Sequence, residues 1–205
     1  MELAGVFDRQ ARTLTLRSSE APGQTGCCAL AGALFNEREL RQRYAHPDAC
    51  LAEVVRALVE QRGAEGVALL DGIFVLAIWD QQRGRGLLAQ DQLGTMSLFY
   101  ATRGPRLYFA SEIHDLLALL PTTPPPDEVS LAHLLTNGDP PEGRTAYAGI
   151  NRLGAAHMLE LSPNGWKSRR YWWPRYKQPV RAESSELSRL LWDAVTRAVT
   201  IRAPQ

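Results

Sequence analysis

The sequence predicts an α+β fold in which antiparallel strands are flanked by helices, and three features of the chain lead to this class. Four short apolar segments lie between residues 72 and 110, separated by turns rich in Gly, Arg, Gln and Pro. Connections this short favour antiparallel pairing, because a parallel crossover needs about a dozen residues or more. Apolar residues also recur at helical spacing on both sides of this region, and a further strand pair surrounds a Ser-Pro-Asn-Gly turn.

The N-terminal third alternates strands and helices. Residues 3–7 are apolar and predict a first strand, and the continuous apolar run 27–35 predicts a strand buried on both faces. Asn36 is placed to cap a short polar helix with the sequence ERELRQRY. Residues 48–61 carry apolar side chains at helical spacing, and Gly63 follows as the expected stop.

The middle and the end of the chain complete the set of elements. Ser111 and Ser130 are each predicted to cap a short helix, with a Pro-rich connector between the two helices. A last amphipathic helix is predicted to follow a polar stretch, PRYKQPVRAESS, that separates it from the strands. The predicted ranges are 72–79, 86–90, 97–102 and 106–110 for the central strands, 111–120 for the first of these helices, 156–161 and 166–172 for the hairpin, and 186–201 for the last helix.

Composition excludes several classes of function. The 205 residues contain 23 basic and 22 acidic side chains, a net charge of +1 that gives no electrostatic reason to expect nucleic acid or an anionic membrane as partner. No apolar run approaches the roughly 20 residues of a membrane-spanning helix, and no signal peptide is recognisable. We therefore expect a cytoplasmic protein. The four histidines are scattered without the spacing of metal ligands, so no metal site is predicted.

Five stretches, in order, resemble the N-terminal glutaminase domain of asparagine synthetases. LAGALFN (30–36) is similar to the family's NGEIYN strand, and DGIFVLAIWD (71–80) is similar to LxGxFAFAIWD. AQDQLGTMSLFY (89–100) resembles ARDxxGxKPLYY, and LYFASEIHDLL (107–117) resembles LxFASExKAL. GINRLGAAHMLEL followed by YW resembles GIxRLPPGHxLxL with its YW.

This resemblance implies a four-layer αββα sandwich of the N-terminal-nucleophile (Ntn) hydrolase type, with two antiparallel sheets between helix layers. It implies a glutaminase-like domain, a class II glutamine amidotransferase, over residues 1–175. Residues 176–205 would be a linker and helix leading toward an ATP-pyrophosphatase-type synthetase domain. That domain's Ser-Gly-Gly-x-Asp-Ser loop is absent here, so ATP and Mg²⁺ are expected in the missing domain and no cofactor in this chain.

The residues that perform glutamine hydrolysis in this family are replaced. The family begins with Cys after the initiator Met, whereas Met1 and Glu2 stand here, and glutamate is a weak nucleophile without a positioned base. The Asn that stabilises the oxyanion is Ala31, followed by Gly32. No counterpart of the Arg-Gly-Pro-Asp loop, which clamps the glutamine carboxylate in the family, lies between residues 8 and 26. Leu51, expected to be buried, replaces the Asp that binds the substrate ammonium group. We therefore predict no catalytic residue and a degenerate glutamine pocket at Ala31, Gly32 and Leu51.

Other polar residues have structural explanations. Cys27 and Cys28 fall within a strand and are expected to pack in the core, while Cys50 is expected to start a helix. Asp91 and Gly94 form an acidic turn between two central strands. In the family this turn is a structural elbow near the domain interface, with the carboxylate bonding backbone N–H groups and the glycine supplying a positive φ.

Three functions are consistent with this pattern. The first is a glutaminase-like scaffold, without the catalytic Cys, of an asparagine-synthetase-like, ATP-dependent amide ligase of the β-lactam synthetase or lasso-peptide cyclase type. Its partners would be the synthetase domain and the ligase's peptide or small-molecule substrate. The second is part of a glutamine-hydrolysing asparagine synthetase with a misdefined N-terminus, and the third is a stand-alone binding or regulatory module.

Overall fold

Two antiparallel sheets of five strands form the centre of the computed structural model, which describes residues 3–16, 26–46, 48–176 and 182–202. The first sheet contains β1 (Ala4–Asp8), β2 (Thr13–Leu16), β6 (Phe99–Arg103), β7 (Arg106–Ala110) and β8 (Ile150–Arg152). The second contains β3 (Gly26–Leu34), β4 (Gly72–Asp80), β5 (Arg85–Gln90), β9 (His157–Ser162) and β10 (Gly165–Arg170). The strand order is β2-β1-β7-β6-β8 in the first sheet and β10-β9-β5-β4-β3 in the second.

Five α-helices accompany the sheets in the described part of the chain. They are α1 (Glu37–Tyr44), α2 (Leu51–Arg62), α3 (Ile113–Leu119), α4 (Glu128–Asn137) and α5 (Ser184–Arg202), and a 3₁₀ segment, Gly63–Leu69, continues from α2. Gly63 ends α2 at φ +66, a conformation in which glycine avoids the steric cost of a side chain.

The packing of β4 explains why its sequence is apolar without alternation. Phe74, Leu76 and Ile78 belong to a buried cluster with α1, α2 and the 3₁₀ segment. The residues between them, Val75 and Ala77, belong to a second cluster with side chains of the other sheet. Because successive side chains of a strand point to opposite faces, a strand covered on both faces must be apolar at every position.

The clusters also define the order of the layers. The cluster between the sheets joins Leu3, Phe7 and Phe109 of the first sheet and its N-terminal approach to Val75 and Leu88 of the second. A third cluster packs α3 on the outer face of the first sheet. The order is therefore helices, sheet, sheet, helices, and the predicted αββα fold class is confirmed.

Two of the predicted helix caps are wrong. Ser111 does not cap α3, which begins at Ile113; its hydroxyl accepts a hydrogen bond from the N–H of Leu3 at 3.0 Å and holds the start of β1. Ser130 lies inside α4, where Asp127 is the cap and accepts the N–H of Ser130 at 2.8 Å. A serine within one turn of the real helix start fits the sequence preference for an N-cap equally well, so this preference alone does not fix the residue at which the helix begins.

Asn36 does precede α1, but its side chain makes no capping hydrogen bond. Its amide donates to the carbonyl of Leu69 at 2.8 Å and accepts the N–H of Asp71 at 3.1 Å. An asparagine side chain has both a donor and an acceptor, so it can bond a backbone carbonyl and a backbone N–H at the same time. Asn36 therefore ties α1 to the segment that leads into β4.

The contacts of the chain divide it into two units, Met1–Trp173 and Pro174–Gln205. The second unit contains α5, in which no residue is buried. Its exposed large apolar side chains are Leu187, Leu190, Leu191, Trp192, Val195, Val199 and Ile201. Among the described residues, no helix combines the length and apolarity needed to cross a membrane.

Candidate functional site

Ala31, predicted to stand where an oxyanion donor would be expected, lies in the core between the sheets. Ala31 sits on β3 opposite Val75 of β4, and 1% of its surface is exposed. Its neighbours in the buried cluster are apolar side chains of both sheets. Its methyl group can donate no hydrogen bond, so Ala31 contributes only apolar packing at this position.

Gly32, the next residue, is required by the backbone. Its φ is +114, and an added Cβ would lie 2.0 Å from the carbonyl oxygen of Ile73 and 3.0 Å from the sulfur of Met96. Only glycine fits so close an approach of two strands. The backbone thus requires a glycine at the second of the two predicted pocket positions, and the first, Ala31, carries no side-chain donor.

Leu51 lies on a different side of the second sheet from Ala31. It is the first residue of α2 and is only partly buried, so the prediction of full burial is wrong. It packs against the cluster beneath the helices, whereas Ala31 belongs to the cluster between the sheets. Ala31 and Gly32 are adjacent on β3, and the structure does not place Leu51 in the cluster of Ala31.

Two predicted features fall on residues that the structure does not describe. These are the replaced nucleophile at Met1 and Glu2 and residues 17–25, which form part of the range 8–26 in which no carboxylate clamp was recognised. The first described residue, Leu3, is held by Ser111, which accepts from its N–H and donates its own N–H to the Leu3 carbonyl at 2.7 Å.

The three cysteines are spread over two elements. Cys28 is buried, and burial raises the pKa of its thiol well above the ordinary value. Cys27 is half-buried, and burial raises its thiol pKa as well. Cys50 is exposed immediately before α2, and its N–H donates to the carboxylate of Glu53 at 2.8 Å. Burial thus disfavours the nucleophilic thiolate at Cys27 and Cys28.

The acidic turn after β5 is a compact hydrogen-bonded unit. Asp91 is 1% exposed, and its carboxylate accepts three backbone N–H groups at 3.0 Å, from Leu93, Thr95 and Met96. Gly94 completes the turn at φ +67, and its N–H donates to the Asp91 carbonyl at 3.2 Å. These hydrogen bonds satisfy the buried carboxylate without a cation.

The residues on either side of Asp91 anchor the turn to the domain. The amide oxygen of Gln90 accepts the N–H of Leu98 at 3.1 Å, and the side chain of Gln92 donates to the Leu70 carbonyl. The carbonyl of Gln90 accepts the hydroxyl of Tyr171 at 2.6 Å. Sequence reasoning missed Gln90 and Tyr171, since nothing local relates two residues 81 positions apart.

A surface groove of about 580 Å³ lies between the C-terminal half of α2 and the second sheet. Ile78, Leu87 and Val59 supply its apolar lining, and Arg56, Arg83, Arg85, Glu60, Asp80 and Glu160 supply its charges. Ala31, Gly32 and Asp91 do not line this groove. No cluster of three or more His, Cys, Asp or Glu side chains suited to a metal ion occurs in the described ranges.

The fold defines the class of protein as an αββα sandwich of two antiparallel sheets between helix layers. Residues 19–172 match the family described as "Glutamine amidotransferase domain". Because this match covers well over half of the chain, the protein belongs to that family.

Two of the relatives are larger asparagine synthetases. The chain is 30% identical over 139 residues to glutamine-hydrolyzing asparagine synthetase 3 of Bacillus subtilis (strain 168), covering 66% of this chain and 23% of the relative. It is 31% identical over 105 residues to glutamine-hydrolyzing asparagine synthetase B of Escherichia coli (strain K12), covering 48% of this chain and 19% of the relative. The chain thus spans about a quarter or less of these relatives.

Among solved structures, the glutamine phosphoribosylpyrophosphate amidotransferase from B. subtilis complexed with ADP and GMP is similar with a TM-score of 0.47 and 18% identity. That likeness covers 75% of this chain and 31% of the other.

Proposed function

We propose that this chain is a glutaminase-like domain that does not hydrolyse glutamine and that acts as a scaffold within an asparagine-synthetase-like, ATP-dependent amide ligase. The observation that carries the proposal is Ala31, buried to 1% exposure where the family has its oxyanion donor. Loss of one such donor costs about 3–4 kcal/mol of transition-state stabilisation.

The thiols support the same conclusion. Glutamine hydrolysis in this family needs a thiolate beside its own α-amine, which serves as the base. Burial disfavours the thiolate at Cys27 and Cys28. Cys50 is exposed, but its described neighbour Glu53 is engaged with the backbone N–H of Cys50. We infer that none of the three replaces the missing nucleophile.

A ligase that receives its amine from the substrate has no use for ammonia, and loss of the glutaminase chemistry would then carry no penalty. β-Lactam synthetases and lasso-peptide cyclases are ligases of this type, and we propose that the chain serves one of them. ATP and Mg²⁺ would be held by the ligase domain, for which the greater length of the relatives allows. The exposed apolar side chains of α5 supply a surface that such a domain could cover.

A second candidate is a glutamine-hydrolysing asparagine synthetase whose N-terminus is misdefined. The names of the relatives favour it, since both are described as glutamine-hydrolyzing. The replacement of the oxyanion donor by Ala31 speaks against it, because a cysteine restored at the N-terminus would still lack that donor.

The experiment is covalent trapping with a diazoketone analogue of glutamine, which alkylates the catalytic thiol of active glutaminases. The purified chain is incubated with the analogue and its intact mass is measured, with E. coli asparagine synthetase B as the positive control. We expect no adduct on the chain under conditions in which the control is fully labelled. An adduct at one of the three cysteines, blocked by excess glutamine, would show a working pocket and contradict the proposal.

A further inference from the structure

The segment that follows β10 is fastened to the sheet domain through one side chain. Tyr171 is 8% exposed, and its hydroxyl donates to the carbonyl of Gln90 at 2.6 Å. Its N–H donates to the carbonyl of Ala156 at 2.8 Å. Burial, with a smaller effect from Asp91, raises the pKa of the Tyr171 hydroxyl, which therefore stays a hydrogen-bond donor at neutral pH.

Ala156 links this tyrosine to the acidic turn. Its N–H donates to the carbonyl of Asp91 at 2.9 Å, while its own carbonyl receives Tyr171. Ala156 is fully buried with φ +58, a left-handed conformation that is unfavourable for a residue with a Cβ. Hydrogen bonds on both sides of the residue hold the backbone in that conformation.

The acidic turn is itself fixed to the second sheet. The N–H of Asp91 donates to the carbonyl of Phe74 at 3.0 Å, and the Asp91 carboxylate accepts the three N–H groups that close the turn. The turn has little freedom to move relative to β4. Tyr171 is thus bonded to a rigid support.

We propose that Tyr171, Ala156 and the Gln90–Asp91 turn form a latch that fixes the direction in which the chain leaves the sheet domain. Tyr171 lies directly after β10, which ends at Arg170, and two residues before the boundary at Trp173. The latch deepens the proposed scaffold function, on which its purpose rests: a scaffold that carries a further domain needs a defined exit for the chain.

The two residues after the latch carry the fixed direction onward. The Arg170 side chain donates to the carbonyl of Trp172 at 3.0 Å, and its guanidinium lies 3.5 Å from the centre of the Trp173 ring. Such a cation–π contact stiffens the segment against rotation. Tyr171 is therefore a positioning residue, and the stacked pair extends its effect to the domain boundary.

The test compares Tyr171→Phe with Tyr100→Phe in the full 205-residue chain. Tyr100 is the matched control, because it is also partly buried and its hydroxyl makes no hydrogen bond among the described residues. Amide hydrogen exchange is measured by mass spectrometry over residues 170–176 and over β3 to β5. Losing one hydrogen bond should speed exchange at 170–176 about fivefold in Tyr171→Phe, with no change in the sheet. Unchanged exchange at 170–176, or an equal increase in the sheet, would overturn the latch.

A distance measurement tests the direction itself. Spin labels at Leu93→Cys and Trp173→Cys, both exposed positions within the unit Met1–Trp173, are introduced with Cys50→Ser so that no other exposed thiol reacts. The distribution of distances between the labels should be narrow and should broaden when Tyr171→Phe is added. Equal widths in the two proteins would refute the positioning role. Neither readout involves glutamine, so a glutaminase-active chain would leave the latch intact and a failed latch would leave the proposed function untouched.

Discussion

Replacing Ala31 with Asn introduces the residue that the family resemblance predicts at this position, and the change should destabilise this protein. The new amide adds three non-hydrogen atoms at a position that is 1% exposed and surrounded by apolar side chains. Overpacking a core costs about 1–3 kcal/mol, and burying an amide without a hydrogen-bond partner costs about 1–3 kcal/mol more. We therefore expect Ala31→Asn to lose about 2–6 kcal/mol of unfolding free energy, out of the 5–15 kcal/mol typical of a domain.

The matched control is Ala33→Asn, on the same strand and exposed to solvent. Strand propensity alone changes stability by no more than about 1 kcal/mol there. Urea unfolding followed by far-UV circular dichroism gives the free energies of the wild type and both variants. If Ala31→Asn is as stable as Ala33→Asn, the site still has room and a partner for an amide, and the account of a filled pocket is wrong.

Further outcomes follow from the same structure. The Glu2→Cys variant, with no other change, should release no glutamate from glutamine. A burst of glutamate from this variant would show that the pocket is assigned wrongly. Isothermal calorimetry should detect no ATP binding, since the chain has no Gly-rich phosphate loop, and a micromolar Kd would place nucleotide chemistry in this chain. The double variant Leu187→Asp/Leu191→Asp should no longer associate with the proposed ligase domain, because each leucine contributes about 1.5–3 kcal/mol when it is buried. If residues 1–173 unfold in this variant instead, α5 belongs to the sheet domain. Cys50 should react with iodoacetamide well before Cys28, whose raised pKa leaves less thiolate at any given pH; equal rates would contradict the burial of Cys28.

Strands with locally encoded patterns could be predicted from the sequence. β4 and β5 are apolar over their length and end at turn residues, and their predicted and observed bounds differ by one residue at most. β2 and β8 were not predicted, because they have only four and three residues. β2 pairs with β1, its neighbour in the chain, whereas β8 depends on a distant strand. β8 pairs with β6, which lies about fifty residues earlier in the chain.

The acidic turn shows the same limit within the candidate site. The bonds from the Asp91 carboxylate reach residues two to five positions away, a range in which turn chemistry is readable from sequence. The bonds from the same turn to Ala156 and Tyr171 depend on how the sheets assemble. Local pattern therefore predicted a structural turn, and only the fold shows what the turn holds.

The pocket residues divide in the same way. The sequence places Gly32 only in the predicted degenerate pocket, and its φ of +114 in the structure supplies the backbone reason for a glycine there. The partial exposure of Leu51 could not be predicted. Leu51 is the first residue of α2, and the local sequence does not indicate which side of a helix start will pack against the sheet. That Ala31 and Leu51 pack in different clusters could not be predicted either, because it depends on how the strands are ordered in the two sheets.

The most direct test of the central claim is ammonia release from glutamine by the purified chain. A coupled glutamate dehydrogenase assay is run at saturating glutamine, with E. coli asparagine synthetase B as positive control and a protein-free blank. The account predicts a rate equal to the blank. Turnover above the blank that rises and saturates with glutamine concentration would show a functional glutaminase and contradict it.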